Sequence, residues 1–308
     1  MGVGGLGGYI GGRLAHSGQG VTFIARGQRL QAIRANGLHV RSPEDEFVVH
    51  PAHATDDPRE VGPVDVVLFC VKTYDVPDAV ARIAPLVGPQ TAVLPIQNGV
   101  GHIEQLQRAV GQAAVLGGVA MLNAHSTAPN AFERPGGPHR LELGEIDGHS
   151  SPRCQAIVQA LSEAGIDAHV MPNIQERMWW KFAGICGAGV FSVMRGSKGQ
   201  IWGEPETHDL LRQAIAEAVA VANARGIPLA ATLPDEAVQV FDTFPPPYKP
   251  SMLIDLEQGR RLELEALNGT LVRLGDEVSI PTPVNDFIYA CLKPYANGRR
   301  KGTMDDRR

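Results

Sequence analysis

Apolar and polar positions follow two regimes along this chain. Over the first half, short runs rich in β-branched residues alternate with amphipathic stretches; over the second, only helix-length patterns recur. Residues 64–71 are almost continuously apolar, as a strand buried on both faces of a parallel sheet must be. Strands are also predicted over 21–25, 91–96 and 113–121, and helices over 6–17, 75–86 and 100–110. Residues 141–144 suggest an added β segment, 152–164 a helix and 167–170 a last short strand. This alternation predicts an α/β fold: a Rossmann-type, doubly wound, mostly parallel sheet, followed by an all-helical C-terminal domain. The boundary is placed near Met171, giving domains over 1–171 and 172–296, with a polar, disordered tail over 297–308. Residues 251–275 read as one helix, and the four prolines within 243–250 as a stiff loop before it.

Composition narrows the picture mostly by exclusion. With 308 residues the chain is long enough for two cores, and a net charge of −5 suggests no bulk attraction to nucleic acid or an anionic membrane. The longest apolar segment, 178–194, contains Lys181 and several glycines, so a buried helix explains it better than a membrane span. Cys70, Cys154, Cys186 and Cys291 are far apart in sequence, which suits free thiols in a cytoplasmic protein. His50 and His53 are the only closely spaced histidines, and no metal site is expected. The basic cluster Arg299-Arg300-Lys301 reads as a solvated tail.

The front of the chain changes the picture more. Gly2-x-Gly4-x-x-Gly7 precedes the 6–17 helix, and 21–25 follows as the second strand. In a dinucleotide-binding βαβ unit the first glycine permits the tight turn and the second lets backbone reach the pyrophosphate. The third lets the helix lie close to the sheet. An acid that would bind a free ribose 2′-hydroxyl belongs at the end of the second strand, yet Arg26 stands there. From Gly2 to Pro43 there is no Asp or Glu, while Arg13, Arg26, Arg29, Arg34 and Arg41 all occur. A guanidinium suits a 2′-phosphate, so NADP is expected rather than NAD. A strand of about five residues should also enter Gly2. Only Met1 is there, which suggests that the chain starts too far downstream.

Ligands of open α/β sheets bind beyond the carboxyl ends of the strands. Lys72-Thr73 and Gln97-Asn98-Gly99 stand at two such ends. Asn98 would orient a cofactor amide or the substrate, or else simply close the strand in an Asn-Gly turn. Lys181 is flanked by Trp179, Trp180 and Phe182, and on a helix shares its face with Met178, Ile185, Ala188 and Ser192. A buried ammonium there becomes a proton donor near neutrality, whereas a snorkelling one keeps its head in water. On a continuous 251–275 helix, Glu263 would interrupt a stripe of Leu253, Leu256, Leu267, Leu271 and Leu274, where it meets a ligand hydroxyl or pairs with Arg260. Glu265 would point away, and Ser251 would be the helix N-cap.

Taken in order, Gly2 to Tyr9, Lys72, Gln97-Asn98-Gly99, Trp180-Lys181-Phe182, Ser251-Met252-Leu253, Glu263 and Asn268-Gly269 make a set that resembles the ketopantoate reductase (2-dehydropantoate 2-reductase) family over almost the whole chain. The resemblance implies NADPH held by Gly2, Gly4, Gly5, Leu6, Gly7, Arg26, Lys72 and Asn98. It implies Lys181 as general acid, Glu263 gripping the substrate hydroxyl, and Asn98 and Ser251 near the substrate. It further implies a small 2-oxo acid substrate, a role in pantothenate biosynthesis, and a homodimer as one open assembly. Family members that make pantoate carry two asparagines one and two turns after the lysine, where this chain has Ile185 and Gly189. Their loss points to a less polar or bulkier 2-oxo acid. Another two-domain hydroxyacid or opine-type dehydrogenase and a catalytically silent NADP-binding protein are the competing readings.

Overall fold

A computed structural model describes residues 1–298. Most of the expected tail, with Arg299-Arg300-Lys301, therefore lies outside the described residues. The chain divides into two compact units: Met1–Gln97 with Gly101–Met178, and Asn98–Val100 with the chain from Trp179 onward.

The first unit opens with α1 (Gly5–His16), β1 (Thr22–Ile24) and α2 (Gly27–Asn36). Then come β2 (Leu38–Arg41), β3 (Glu46–Val49), β4 (His53–Thr55), β5 (Val66–Phe69) and α3 (Val76–Ile83). Next are β6 (Ala92–Pro95), α4 (His102–Val110), β7 (Leu116–Leu122), β8 (His125–Ala128) and β9 (Ala131–Glu133). It closes with β10 (His139–Glu145), α5 (Pro152–Glu163) and β11 (Asp167–Val170). Parallel pairs β1–β4, β5–β6 and β10–β11 give the doubly wound character, and a single parallel bridge, Val93 to Val115, links β6 to the start of β7. The pairing of β10 with β7 is antiparallel, so the sheet is mixed at that side.

A second, four-stranded sheet in the order β3-β2-β9-β8 has no counterpart in the sequence reading. Its strands are three or four residues long, too short for an alternation such as that of β2 to mark a strand, and β8 is exposed along its whole length. It explains why α1 carries so many glycines despite their cost of roughly 1 kcal/mol each in a helix. A methyl group at Gly8 would run into the Phe132 ring of β9, and one at Gly12 would come within 2.5 Å of Val40 in β2. Bare helix backbone lets the sheet close on α1, burying Tyr9, Ile10, Leu38, Val40 and Phe132.

The second unit is helical. Helix α6 (Ile174–Gly187) leads into it, followed by α7 (Gly189–Met194), α8 (Lys198–Ile201), α9 (Pro205–Ala224) and α10 (Leu233–Thr243). The chain then forms α11 (Ser251–Glu257), α12 (Asn268–Glu277) and α13 (Pro283–Leu292). Helix α9 buries Leu211, Ala214, Ile215, Ala218 and Ala222, spaced three and four apart as a core-facing stripe requires. Phe191, Trp202 and Phe241 stack at 5.5–5.8 Å beneath the proline-rich loop. All four cysteines are free thiols, and among the described residues no helix is long and apolar enough to cross a membrane.

Three expectations need correction. Segment 178–194 is two helices, broken at Ala188, rather than one. Ser251 is the first residue of α11 and not its cap; Pro250 holds the cap position, where no side chain accepts a hydrogen bond. The single helix over 251–275 does not exist. It stops at Glu257, Gly259 turns left-handed (φ 64°), and the chain runs through turns to Leu267. Leu262, Leu264 and Leu267 are all buried, at a spacing of two and three that no single helix face can satisfy. The Leu262 N–H donates instead to the Ala296 carbonyl at 2.9 Å.

Candidate active site

In the first unit the glycine turn is built from close approaches. Gly2 is left-handed at φ 90°, and a Cβ there would sit 2.5 Å from the Val71 nitrogen, directly before Lys72. At Gly7 a methyl group would overlap the Gly2 carbonyl oxygen and stand 2.9 Å from the Cys70 Cβ, and at Gly5 it would overlap Ala124. Gly4, the residue before α1, is the exception: nothing lies within 4 Å of its missing Cβ. The amides of Gly5, Leu6 and Gly7 open α1, have no intrahelical acceptors, and face no acidic residue in the first turn. Arg26, exposed, occupies the N-cap position of α2 immediately after β1, and Lys72 is exposed after β5. An open position at the second glycine, beside the amides that open α1, suits the pyrophosphate of a dinucleotide.

The second unit collects Asn98, Lys181, Ser251 and Glu263. Lys181 lies in the middle of α6, on a turn whose Met178 and Phe182 are buried, with Trp179 and Phe182 edge to face at 5.4 Å. Desolvation lowers its ammonium from the usual 10.5 to about 8, and the Glu263 carboxylate pulls the other way by favouring the charged form. The turns over 258–267 therefore bring Glu263 into the field of Lys181, by a route different from the leucine stripe. Arg260 is engaged elsewhere, its Nε donating to Asp255 at 2.7 Å. Glu265, two residues on, is exposed and accepts from the Tyr289 hydroxyl at 3.0 Å and from Lys293. Asn98 is half-buried in a turn at the end of β6; Gly99 follows at φ 89°, where a Cβ would meet the Ala266 carbonyl oxygen at 2.8 Å. Ser251 is exposed.

The burial of further polar residues is evident only in three dimensions. Asn268 is fully buried; its Nδ2 donates to the Cys186 carbonyl at 3.1 Å and to Asn285 Oδ1 at 2.9 Å, while its own Oδ1 has no partner. Asn285 Nδ2 in turn donates to Glu217 at 2.6 Å, and Glu217 also accepts the amides of Val284 and Asn285 that open α13. This chain of amides satisfies the end of α6, where the helix breaks. Gly189 faces it: a Cβ there would lie 2.8 Å from Ile288 and 3.3 Å from Asn268 Oδ1. The Gln97 amide is buried without a partner, and burial pushes the His102 imidazole down to about 4, leaving it neutral. His102 does not signal itself in the sequence, because burial and not residue type sets it apart; Gln97 stands in the strand-end motif, but its burial is visible only in the structure. Among the described residues no three His, Cys, Asp or Glu side chains gather as metal ligands.

Comparison with known proteins places this arrangement. The signature of "Ketopantoate reductase PanE/ApbA" matches residues 1–148, and that of "Ketopantoate reductase PanE/ApbA C terminal" matches residues 173–296. The chain belongs to the ketopantoate reductase family and is an oxidoreductase of that family. A 2-dehydropantoate 2-reductase of Mesorhizobium japonicum is 30% identical, over 96% of this chain and 96% of its own. The crystal structure of 2-dehydropantoate 2-reductase from Geobacter metallireducens superposes with a TM-score of 0.88 at 31% identity, covering 96% and 98% of the two chains. D-mandelate dehydrogenase with NADH and anilino(oxo)acetate has a TM-score of 0.85, covering 96% of each chain, but at 23% identity the likeness shows the fold alone.

Proposed function

We propose that the protein reduces a 2-oxo acid, 2-dehydropantoate or a related ketoacid, to the 2-hydroxy acid with NADPH, using Lys181 as general acid. The observation that carries this reading is the Lys181 ammonium, held at about 8 by burial and facing Glu263. The nicotinamide, when bound, supplies the hydride that adds to the C2 carbon. As the C2 oxygen gains negative charge, Lys181 Nζ donates its proton and becomes the neutral amine, then recovers a proton from water. A donor near 8 is well matched to this task at physiological pH, and its charge stabilises the developing alkoxide in a desolvated setting. Glu263 keeps Lys181 protonated beforehand and accepts a hydrogen bond from the substrate hydroxyl; Asn98 and Ser251 orient the substrate.

Gly2, Gly4, Gly5, Leu6 and Gly7 would hold the pyrophosphate, with Lys72 and Asn98 at the strand ends and Arg26 on the 2′-phosphate. Ile185 is half-buried one turn after Lys181, and the room at Gly189 is already filled by Ile288 and Asn268. That favours a ketoacid less polar than 2-dehydropantoate. The setting is proposed as cytoplasmic, with a homodimer as the assembly to be checked.

The test is cofactor oxidation against a panel of 2-oxo acids with varied side chains, run with NADPH and with NADH. No turnover with any 2-oxo acid removes the reading. Equal use of NADH removes the cofactor assignment, and Arg26→Ala should weaken NADPH binding about ten-fold or more while leaving NADH unchanged.

A further inference from the structure

Five arginines precede Pro43, and they differ in what meets their charge. Arg13 donates to Asp45 at 2.9 Å, and Arg41 lies 3.9 Å from Glu46. Arg34 donates to the Ala54 carbonyl at 2.8 Å and sits in the last turn of α2, where the helix dipole favours a cation. Arg26 and Arg29 stand at the other end of the same helix, where the dipole opposes them, and the first turn of α2 contains no acidic residue. Three residues apart, they share one side of that turn.

Of the two, Arg29 is the more constrained. Arg26 is exposed and Arg29 half-buried. Arg29 Nη1 donates to the Pro129 carbonyl at 2.7 Å, in the turn between β8 and β9, and its guanidinium lies over the Phe132 ring at 5.2 Å. Phe132 is itself buried against Gly8 of α1, and the chain entering β8, at Ala124 and His125, lies against Gly5. The β8–β9 hairpin therefore draws a cation of α2 towards the opening turns of α1. Asn130 fixes the hairpin in turn: its Nδ2 donates to the Gly37 carbonyl at 2.9 Å, and its own carbonyl accepts from His39 N–H at 2.8 Å. Arg29 forms no ion pair among the described residues, and partial burial holds its pKa below the usual arginine value. A guanidinium that is partly desolvated, unpaired and set against a helix dipole costs stability unless an anion meets it. Local rules are broken in this way at functional sites.

We propose that Arg29 is a second selectivity residue for the cofactor, donating together with Arg26 to the phosphate on the adenosine ribose. This rests on the NADPH reading above and adds that the β8–β9 hairpin, and not α2 alone, sets the preference. The two arginines divide the task. Arg26 closes on the phosphate from the solvent side, whereas Arg29 keeps one N–H on Pro129 and presents its remaining donors already oriented. A guanidinium held beforehand loses less freedom when the phosphate arrives.

The test is calorimetric titration with adenosine 2′,5′-bisphosphate and adenosine 5′-monophosphate, which differ only in the 2′-phosphate and require no turnover. The unaltered protein should hold the bisphosphate about ten-fold or more tightly than the monophosphate. Arg29→Gln, which keeps the stem of the side chain, should weaken the bisphosphate about ten-fold and leave the monophosphate unchanged. Arg29→Lys should recover only part of that loss, because an ammonium cannot replace the planar fork that serves carbonyl and phosphate together. Asn130→Ala releases the hairpin from Gly37 without touching either arginine. It should weaken the bisphosphate about three-fold in the unaltered protein and have no further effect in Arg29→Gln. Equal weakening of both ligands by Arg29→Gln would make Arg29 a structural tie and overturn the proposal. A preference abolished by Arg26→Ala but untouched by Arg29→Gln would overturn it while sparing the NADPH reading, whereas an unaltered protein with no preference between the two ligands would overturn both.

Discussion

The glycine turn at the front of the chain and the 258–267 turn that carries Glu263 are both irregular backbone beside a proposed site, yet they are encoded differently. In the first, residue identity is the constraint: Gly2 and Gly7 stand where any Cβ would strike main chain or Cys70. In the second, one left-handed glycine ends α11, and the rest follows from the need to bury Leu262, Leu264 and Leu267. The first could be recognised letter by letter. The second exists only through tertiary packing, and the carboxylate it presents to Lys181 is displaced from any helical position.

The sharpest probe of the second region is its partner. Lys181→Ala should lower kcat by about 10²–10⁴ while leaving NADPH binding nearly unchanged. In the intact enzyme, reduction should fail as pH rises through about 8, where the acid is lost. Stability has the opposite sign: the unfolded lysine holds its proton to the usual 10.5, so the cost of a buried ammonium is fully present below about 8 and is relieved between 8 and 10.5. A flat rate profile over that range, in a folded protein, would leave Lys181 as a structural side chain.

The first region is broken by Gly7→Ala, which should cost about 1–3 kcal/mol of stability because main chain cannot yield to the new methyl. Gly4→Ala provides the contrast. With no atom within 4 Å it should cost about 1 kcal/mol or less, as a change at a helix cap, yet weaken cofactor binding comparably. Calorimetry beside cofactor titration separates the two; unchanged affinity in Gly4→Ala would mean the cofactor does not approach that backbone.

The smallest effect sharpens the comparison most. Glu263→Gln should move the falling limb of the pH profile to lower pH by less than about one unit, because the carboxylate that favours the charged lysine is gone. Glu265→Gln should leave the limb in place. A limb that follows Glu265 instead would make Glu265, and not Glu263, the carboxylate that acts on Lys181.

Legibility followed the same division. The long elements of the parallel sheet were readable because buried parallel strands are apolar throughout, as in β5 and β6. The four-stranded second sheet was not, since β2, β3, β8 and β9 are only three or four residues long; its one trace in the sequence is the cluster of glycines in α1 that lets it approach. At the site, Lys181 was conspicuous as a lone cation among aromatics. Glu263 was singled out through a helix that does not form, because a leucine repeat satisfies a helix and a helix-turn-helix equally well. Gln97 and Asn268 stand in recognisable motifs, but their burial is not legible, since nothing in an asparagine or glutamine announces it.

The amide chain at the break between α6 and α7 bears on how this protein could be re-engineered or could diverge. An asparagine grafted at position 189 alone would be driven into Ile288 and Asn268, and could only be accommodated by displacing the side chain that caps Cys186. Positions 189, 268 and 288 therefore form a lock that opens in one order: a smaller residue at 288 or a relocated amide at 268 first, the new side chain at 189 second. Selection for a more polar substrate would have to cross an intermediate with a loosened helix end. A library built on position 189 alone should return only destabilised proteins.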